Sequence, residues 1–236
     1  KLDEILPEAD ASSSSHYRYR KLFVVLHTYG SHFNYQERYP RSFAYFKPDS
    51  RSEAKPENRQ DLLNAYDNTI RYTDYILHGI VERLQKWEKL QAKALAKTQA
   101  KTQAKIQSKT DGVYCQPTSA MLYTSDHGEN IFDDDRRLFL HAAPKASDYE
   151  LHVPFIIWTS EGFGKQYPGA WKVLEENRTK QVQTSLSAFH TMLGIGGIRT
   201  PYRLDEYSVA SGKYHPARLL YLDDHDEAIP QENAKF

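Results

Sequence analysis

The stretch Leu122-Tyr123-Thr124-Ser125-Asp126-His127-Gly128-Glu129 constrains this chain more than any other: an apolar run of strand length breaks abruptly into a carboxylate, an imidazole and a glycine. Side chains alternate between the two faces of a strand, so adjacent Asp126 and His127 converge on one cation only where the backbone is already turning away. Gly128 permits that turn. Two more runs share the design. Leu22-Phe23-Val24-Val25-Leu26 discharges into His27-Thr28-Tyr29-Gly30-Ser31-His32, and Val153-Pro154-Phe155-Ile156-Ile157-Trp158 follows Leu140-His141 by a dozen residues. Strands over residues 21–26, 119–125 and 153–159, alternating with helical patterns, predict an α/β fold with a mostly parallel central sheet flanked by helices. Ligands in such sheets bind beyond the carboxyl ends of the strands. Asp126 and His127 are the candidate metal ligands there, and their oxygen and imidazole donors favour zinc, with manganese the nearest competitor. His27, His32 and His141 are the candidate catalytic histidines, able to hold phosphate oxygens or move a proton. Glu129 suits either a carboxylate that orients a ligand or one that opens a helix.

Between the first two runs, residues 33–51 are aromatic and contain proline, which predicts an irregular loop over the site. From residue 56 to about 109 the pattern is helical, with Leu62, Leu63, Tyr66, Ile70, Ile76, Ile80 and Leu84 at helical spacing. Beyond Trp87 the composition collapses into Ala, Lys, Thr and Gln with no apolar stripe wide enough to bury, so residues 88–112 read as a lysine-rich helical insertion. Lys93, Lys97, Lys101, Lys105 and Lys109 fall four apart and form a cationic ridge. Such a ridge is either a solvated projecting helix or an attachment to anionic lipid head groups. Further on, Asp133-Asp134-Asp135 should face solvent, residues 162–168 should be a loop, residues 183–193 a helix ended by Gly194, and the tail beyond Tyr202 mostly irregular.

Thirty-one Lys and Arg balance thirty-one Asp and Glu, which argues against nucleic-acid binding, since that needs a domain-wide basic excess. Cys115 is the single cysteine and makes no internal disulfide.

Taken together, His27-Thr-Tyr-Gly-Ser-His32 with Tyr39-Pro40, Ala65-Tyr66-Asp67-Asn68-Thr69, Ser125-Asp126-His127-Gly128-Glu129-Asn130, Leu140-His141 and His152-Val153-Pro154 resemble the catalytic domain of the phosphoethanolamine transferases that modify lipid A. Those enzymes belong to the sulfatase branch of the alkaline phosphatase superfamily. The resemblance implies an alkaline-phosphatase-like sandwich, Asp126 and His127 as zinc ligands, and His32 and His141 beside the phosphoryl group or an additional zinc. It also implies a phosphatidylethanolamine donor, a lipid A or envelope glycan acceptor, a threonine nucleophile, and a periplasmic domain anchored in the inner membrane. No run here approaches the roughly 18 apolar residues of a spanning helix, and nothing ahead of Leu22 looks like a strand that delivers a nucleophile. The expectation is that residues 1–236 are the C-terminal portion of one such domain, without the membrane anchor and the nucleophile-bearing half. A sulfatase or phosphodiesterase that uses water as acceptor, and a non-catalytic envelope-binding module, are the alternative readings.

Overall fold

The structure, a computed structural model, describes residues 4, 6, 21–105, 116–141, 143–223, 225 and 227–231. Its spine is one helix, α1 (Arg59–Lys105), 47 residues long. A 3-10 turn at Pro56–Asn58 leads into it, with Pro56 in a position that needs no amide proton and Asp61 in the first turn, where a carboxylate meets the positive end of the helix. Asp61 Oδ1 also accepts from the amides of Ser50 and Arg51, at 3.1 and 3.0 Å, and so ties the incoming loop to the helix.

The predicted helix is thus present, and the lysine-rich segment continues it to residue 105. Lys93 and Lys97 are exposed and Lys101 and Lys105 lie on the same helical backbone, whereas Lys109 and residues 106–112 of the predicted insertion fall outside the described residues. Among the described residues, it is the first half of α1 that contributes to the buried core cluster. Tyr35, Tyr39, Leu62, Ala65 and Ile131 are buried together, with Phe33, Phe43, Leu63, Tyr66, Phe132 and Phe139 packed around them. The loop over residues 33–51 is therefore more than a cover, because two of its tyrosines are core residues. Asn68, wholly buried on α1, holds that loop: its Oδ1 accepts from the amides of Tyr45 and Phe46 at 2.9 Å, and its Nδ2 donates to the Phe46 carbonyl at 3.0 Å.

The strands depart from expectation in arrangement. β1 (Ala120–Thr124) and β4 (Phe155–Thr159) form where apolar runs were found, but they pair antiparallel, with Thr124 opposite Phe155. β2 (Asn130–Ile131) pairs with β3 (Phe139–Leu140), and β5 (Leu220–Leu222) with β6 (Ala228–Pro230), both antiparallel. Among the described residues all three sheets are two-stranded, which corrects the expected mostly parallel central sheet. Consequently β4 meets the end of β1 with its beginning, not its carboxyl end. Residues 21–26 form no strand: Val25 is 74% exposed, and Leu22, Phe23 and Leu26 are exposed with it. A strand needs a paired neighbour for its amides and carbonyls, and none of the described strands lies alongside this run. Lys21, at its start, instead donates to the carbonyls of Gly196 and Gly197.

The remaining helices are α2 (Asp148–Leu151), α3 (Glu161–Gln166), α4 (Pro168–Asn177) and α5 (Thr184–Ile195). Residues 162–166 are helical because Ser160 caps α3, accepting from the Phe163 amide, so the expected loop there is corrected. Gly194 lies inside α5 and does not end it. A Cβ at Gly194 would sit 2.7 Å from Ser208 Oγ, so its role is close packing of the helix against the following chain.

Replacing Asn68 by Ala strands two loop amides and removes one donor. Denaturant unfolding should show a loss of about 2–3 kcal/mol, with the loop over residues 41–51 becoming more readily cleaved by protease than the rest of the chain.

Candidate active site

Asp126 and His127 lie where β1 gives way to a turn. His127 Nδ1 is 2.8 Å from the Gly128 carbonyl oxygen, which can only accept, so the neutral ring carries its proton on Nδ1. Nε2 is left with its lone pair, 3.8 Å from Asp126 Oδ2. The Asp126 carboxylate is 82% exposed and folds back so that Oδ1 accepts from the His127 amide at 3.1 Å. Partial desolvation pushes its carboxyl up, but the positive charge that His127 carries when protonated, the backbone amides and the Ser125 hydroxyl outweigh this and hold it below the usual carboxylate range. Two donors with lone pairs, one anionic, face a common space from adjacent residues.

Gly128 is required for a different reason than conformational freedom. Its amide donates to the Glu150 carbonyl at 2.7 Å, and a Cβ there would lie 2.0 Å from the Tyr149 carbonyl oxygen. The turn is seated against α2, itself locked by a capping box between Ser147 and Glu150. Ser147 Oγ donates to Asn130 Oδ1, and Asn130 Nδ2 donates to the Leu140 carbonyl at 2.8 Å, so α2, β2 and β3 are one hydrogen-bonded unit.

Among the described residues, that unit brings together a group of ligand-type atoms. Asn130 pairs with Leu140, so continuing the register places Glu129 opposite His141. Leu140 has a φ of 65°, left-handed for a branched side chain, and the chain leaves the strand there. His141 comes back over His127 with ring centroids 3.8 Å apart. Glu129 Oε1 is 3.0 Å from His141 Nδ1 and 3.9 Å from His127 Nδ1, and one ligand atom from each of His127, Glu129 and His141 lies within 4.8 Å of the others. Glu129 does not open a helix. It leads into β2 with its side chain 5% exposed, and its Oε2 accepts from Tyr35 Oη at 3.1 Å.

His32 is not in that group. Its ring stands edge-on to Tyr29, and its loop reaches the site through Phe33, which packs edge-on to Phe139 two residues before His141. His27 is exposed and makes no hydrogen bond or ring contact among the described residues. Asp133 and Asp134 do not face solvent as expected: Asp133 pairs with Arg59 at 3.0 Å and Asp134 with Arg136 at 2.7 Å. A cleft of about 360 Å³ opens beside Glu129, lined also by Tyr66, Asp67, Asp133, Tyr149 and His152. Burial, reinforced by Glu129, pushes the Tyr66 phenol up to about 12, and burial likewise raises the Asp67 carboxyl. The sequence reading left Glu129 open and missed Tyr35. The equal spacing of Glu129 and His141 about the hairpin tip could have revealed the first, whereas Tyr35 carries no local signal.

The sulfatase family model matches residues 3–92 and 115–198. The phosphoethanolamine transferase EptA of Salmonella typhimurium is 29% identical over 201 residues, covering 84% of this chain and 31% of that protein. The Kdo(2)-lipid A phosphoethanolamine 7''-transferase of Escherichia coli is 26% identical over 186 residues, covering 77% of this chain and 27% of that protein. The chain therefore spans about a third or less of the curated relatives it matches. Among solved structures, the C-terminal periplasmic domain of phosphoethanolamine transferase EptC from Campylobacter jejuni superposes with a TM-score of 0.58 at 26% identity, over 80% of this chain and 51% of that one. No helix among the described residues is long and apolar enough to cross a membrane.

Gly128→Ala tests how the turn is seated. The new methyl meets backbone, which cannot swing aside, so thermal unfolding should report a loss of about 1–3 kcal/mol and the His127 and His141 ring resonances should move together.

Proposed function

The chain belongs to the sulfatase family, and we propose that it is the C-terminal part of the catalytic domain of a phosphoethanolamine transferase. In this reading the whole enzyme moves phosphoethanolamine from phosphatidylethanolamine to lipid A or another envelope glycan. A threonine nucleophile and an inner-membrane anchor lie in sequence preceding this portion, and the domain faces the periplasm. The observation that carries the reading is the grouping of His127, Glu129 and His141 at one hairpin, with Asp126 Oδ2 3.8 Å from His127 Nε2, in a chain whose relatives are named for this transfer.

The donor set fits zinc. Imidazole and carboxylate are its usual nitrogen and oxygen ligands, and with Nδ1 donating to the Gly128 carbonyl His127 offers its Nε2 lone pair beside a carboxylate. Asp126 and His127 would hold the ion, with manganese the nearest alternative. When bound, the ion supplies positive charge that polarises the phosphoryl oxygens. The chain's own residues do the rest. Glu129 accepts from His141 Nδ1, so His141 Nε2 has the lone pair that takes a proton from the attacking hydroxyl. The same nitrogen, once protonated, donates to a phosphoryl oxygen or a departing alkoxide. His32, on the loop that Phe33 packs against the hairpin, is the candidate for a second contact with the phosphoryl group, and His27 is a further candidate on the exposed segment before it. The ridge at Lys93, Lys97, Lys101, Lys105 and Lys109 supplies attraction to anionic lipid, at about 1 kcal/mol per residue near the surface.

Two assays test this reading. In the full-length protein, Asp126→Ala and His127→Ala should each lower transfer from phosphatidylethanolamine by at least about 100-fold, roughly 2.7 kcal/mol of transition-state stabilisation, while zinc binding measured by calorimetry weakens in parallel. Wild-type rates in either variant would remove the site assignment, and turnover of a sulfate ester in place of transfer would make the protein a hydrolase.

For the lysine ridge the measurement is vesicle binding by this chain. It should require acidic lipid and fade as salt shortens the Debye length from about 10 Å at 0.1 M to about 3 Å at 1 M. Equal binding to neutral vesicles would leave the ridge a solvated helix.

A further inference from the structure

Glu129 has two oxygens and three neighbours. Oε1 faces two imidazoles, His141 Nδ1 at 3.0 Å and His127 Nδ1 at 3.9 Å, and Oε2 is held by the phenol of Tyr35 at 3.1 Å. The two rings lie 3.8 Å apart and are tilted by 30°, and His127 Nδ1 already donates to the Gly128 carbonyl at 2.8 Å, so His141 Nδ1 is the donor left for Oε1. What holds Oε1 in line with His141 is the anchoring of the other oxygen by Tyr35.

Of the three neighbours only Tyr35 is fully buried. It is 0% exposed, opens the 3-10 turn Tyr35–Glu37, and has Phe33 and Tyr66 edge-on to its ring, each with centroids 5.3 Å away. Leu62, Ala65 and Ile131 complete its surroundings. A phenol held this way has a hydroxyl fixed in space, and burial pushes its pKa so far up that it remains a donor at any working pH. Glu129 itself is buried, and a buried carboxylate keeps its charge only while donors satisfy it. One oxygen is therefore committed to Tyr35, which leaves the other free for one imidazole.

We infer that Tyr35 is a positioning residue: by pinning Glu129 Oε2 it aims Oε1 at His141, fixes His141 as the Nδ1–H tautomer and presents its Nε2 lone pair to the reacting groups. The role of His141 rests on the transferase reading above, whereas the tautomer and the Tyr35 contact do not. Tyr35 acts through Glu129 and His141 and touches no substrate.

Imidazole nitrogen NMR of this chain in metal-free buffer tests the inference without any activity measurement. In the wild-type spectrum His141, identified by its loss in His141→Gln, should show a protonated Nδ1 and an unprotonated Nε2, and the Tyr35 hydroxyl proton should exchange slowly and lie close to the Glu129 methylenes. Tyr35→Phe, which keeps the ring and removes one oxygen, should convert His141 to a mixture of tautomers. In the full-length enzyme the same variant should lower kcat by about 10-fold or more while KM stays within about twofold and zinc affinity is unchanged. A wild-type His141 with its proton on Nε2, a fast-exchanging Tyr35 hydroxyl, or a Tyr35→Phe spectrum identical to wild type would each overturn the inference, and the first two readouts hold even if Tyr35→Phe does not fold. A correct tautomer together with an active His141→Gln enzyme would instead overturn the transferase role of His141 and leave the Tyr35 contact standing.

Discussion

A negative charge with its side chain only 5% exposed is the condition around which this molecule is arranged. The Glu129 carboxylate has almost no water, so its donors must come from the chain, and each comes from a different part of it: Tyr35 from the loop ahead of α1 and His141 from the far side of the β2–β3 hairpin. Removing either donor leaves part of a charge unsatisfied in a poorly hydrated space, which costs more than an ordinary hydrogen bond contributes. Core and site are consequently not separable here. The aromatic cluster that buries Tyr35 also sets the position of the group that orients an imidazole.

How much of this could be read in the residues depends on the range of the interaction. The apolar runs that became β1 and β4, the helix through α1 and the turn at Asp126-His127 are local patterns, written within a few residues, and they were legible. Pairing is not local. Nothing in Ile156-Ile157 states that β4 runs antiparallel to β1, and the parallel sheet was expected because strands alternating with helices usually give one. The run Leu22-Phe23-Val24-Val25-Leu26 has the composition of a buried strand yet is exposed, because a strand also needs a neighbour. Asp133 and Asp134 looked like solvent-facing charges until Arg59, 74 residues before Asp133, and Arg136 were seen beside them. Gly128 was correctly singled out, although what demands it is the Tyr149 carbonyl and not the turn itself.

The antiparallel pairing also changes what surrounds the site. Because β4 presents its first residue to the last of β1, the residues just before β4 border the same cleft as Glu129, and His152 and Tyr149 line it in place of a third strand's carboxyl end. His152 is exposed at that position, not packed into the core. The cleft is thus walled by α1 on one side, through Leu63, Tyr66 and Asp67, and by α2 on the other.

The length of α1 has its own physical outcome. At about 1.5 Å per residue its 47 residues extend roughly 70 Å, about twice the length of the half that meets the core. Starting a helix is the improbable step, and extending one is nearly free for alanine, lysine and glutamine. The packed half acts as a permanent seed, so the residues that follow it along α1 need only propagation, not nucleation, to be helical.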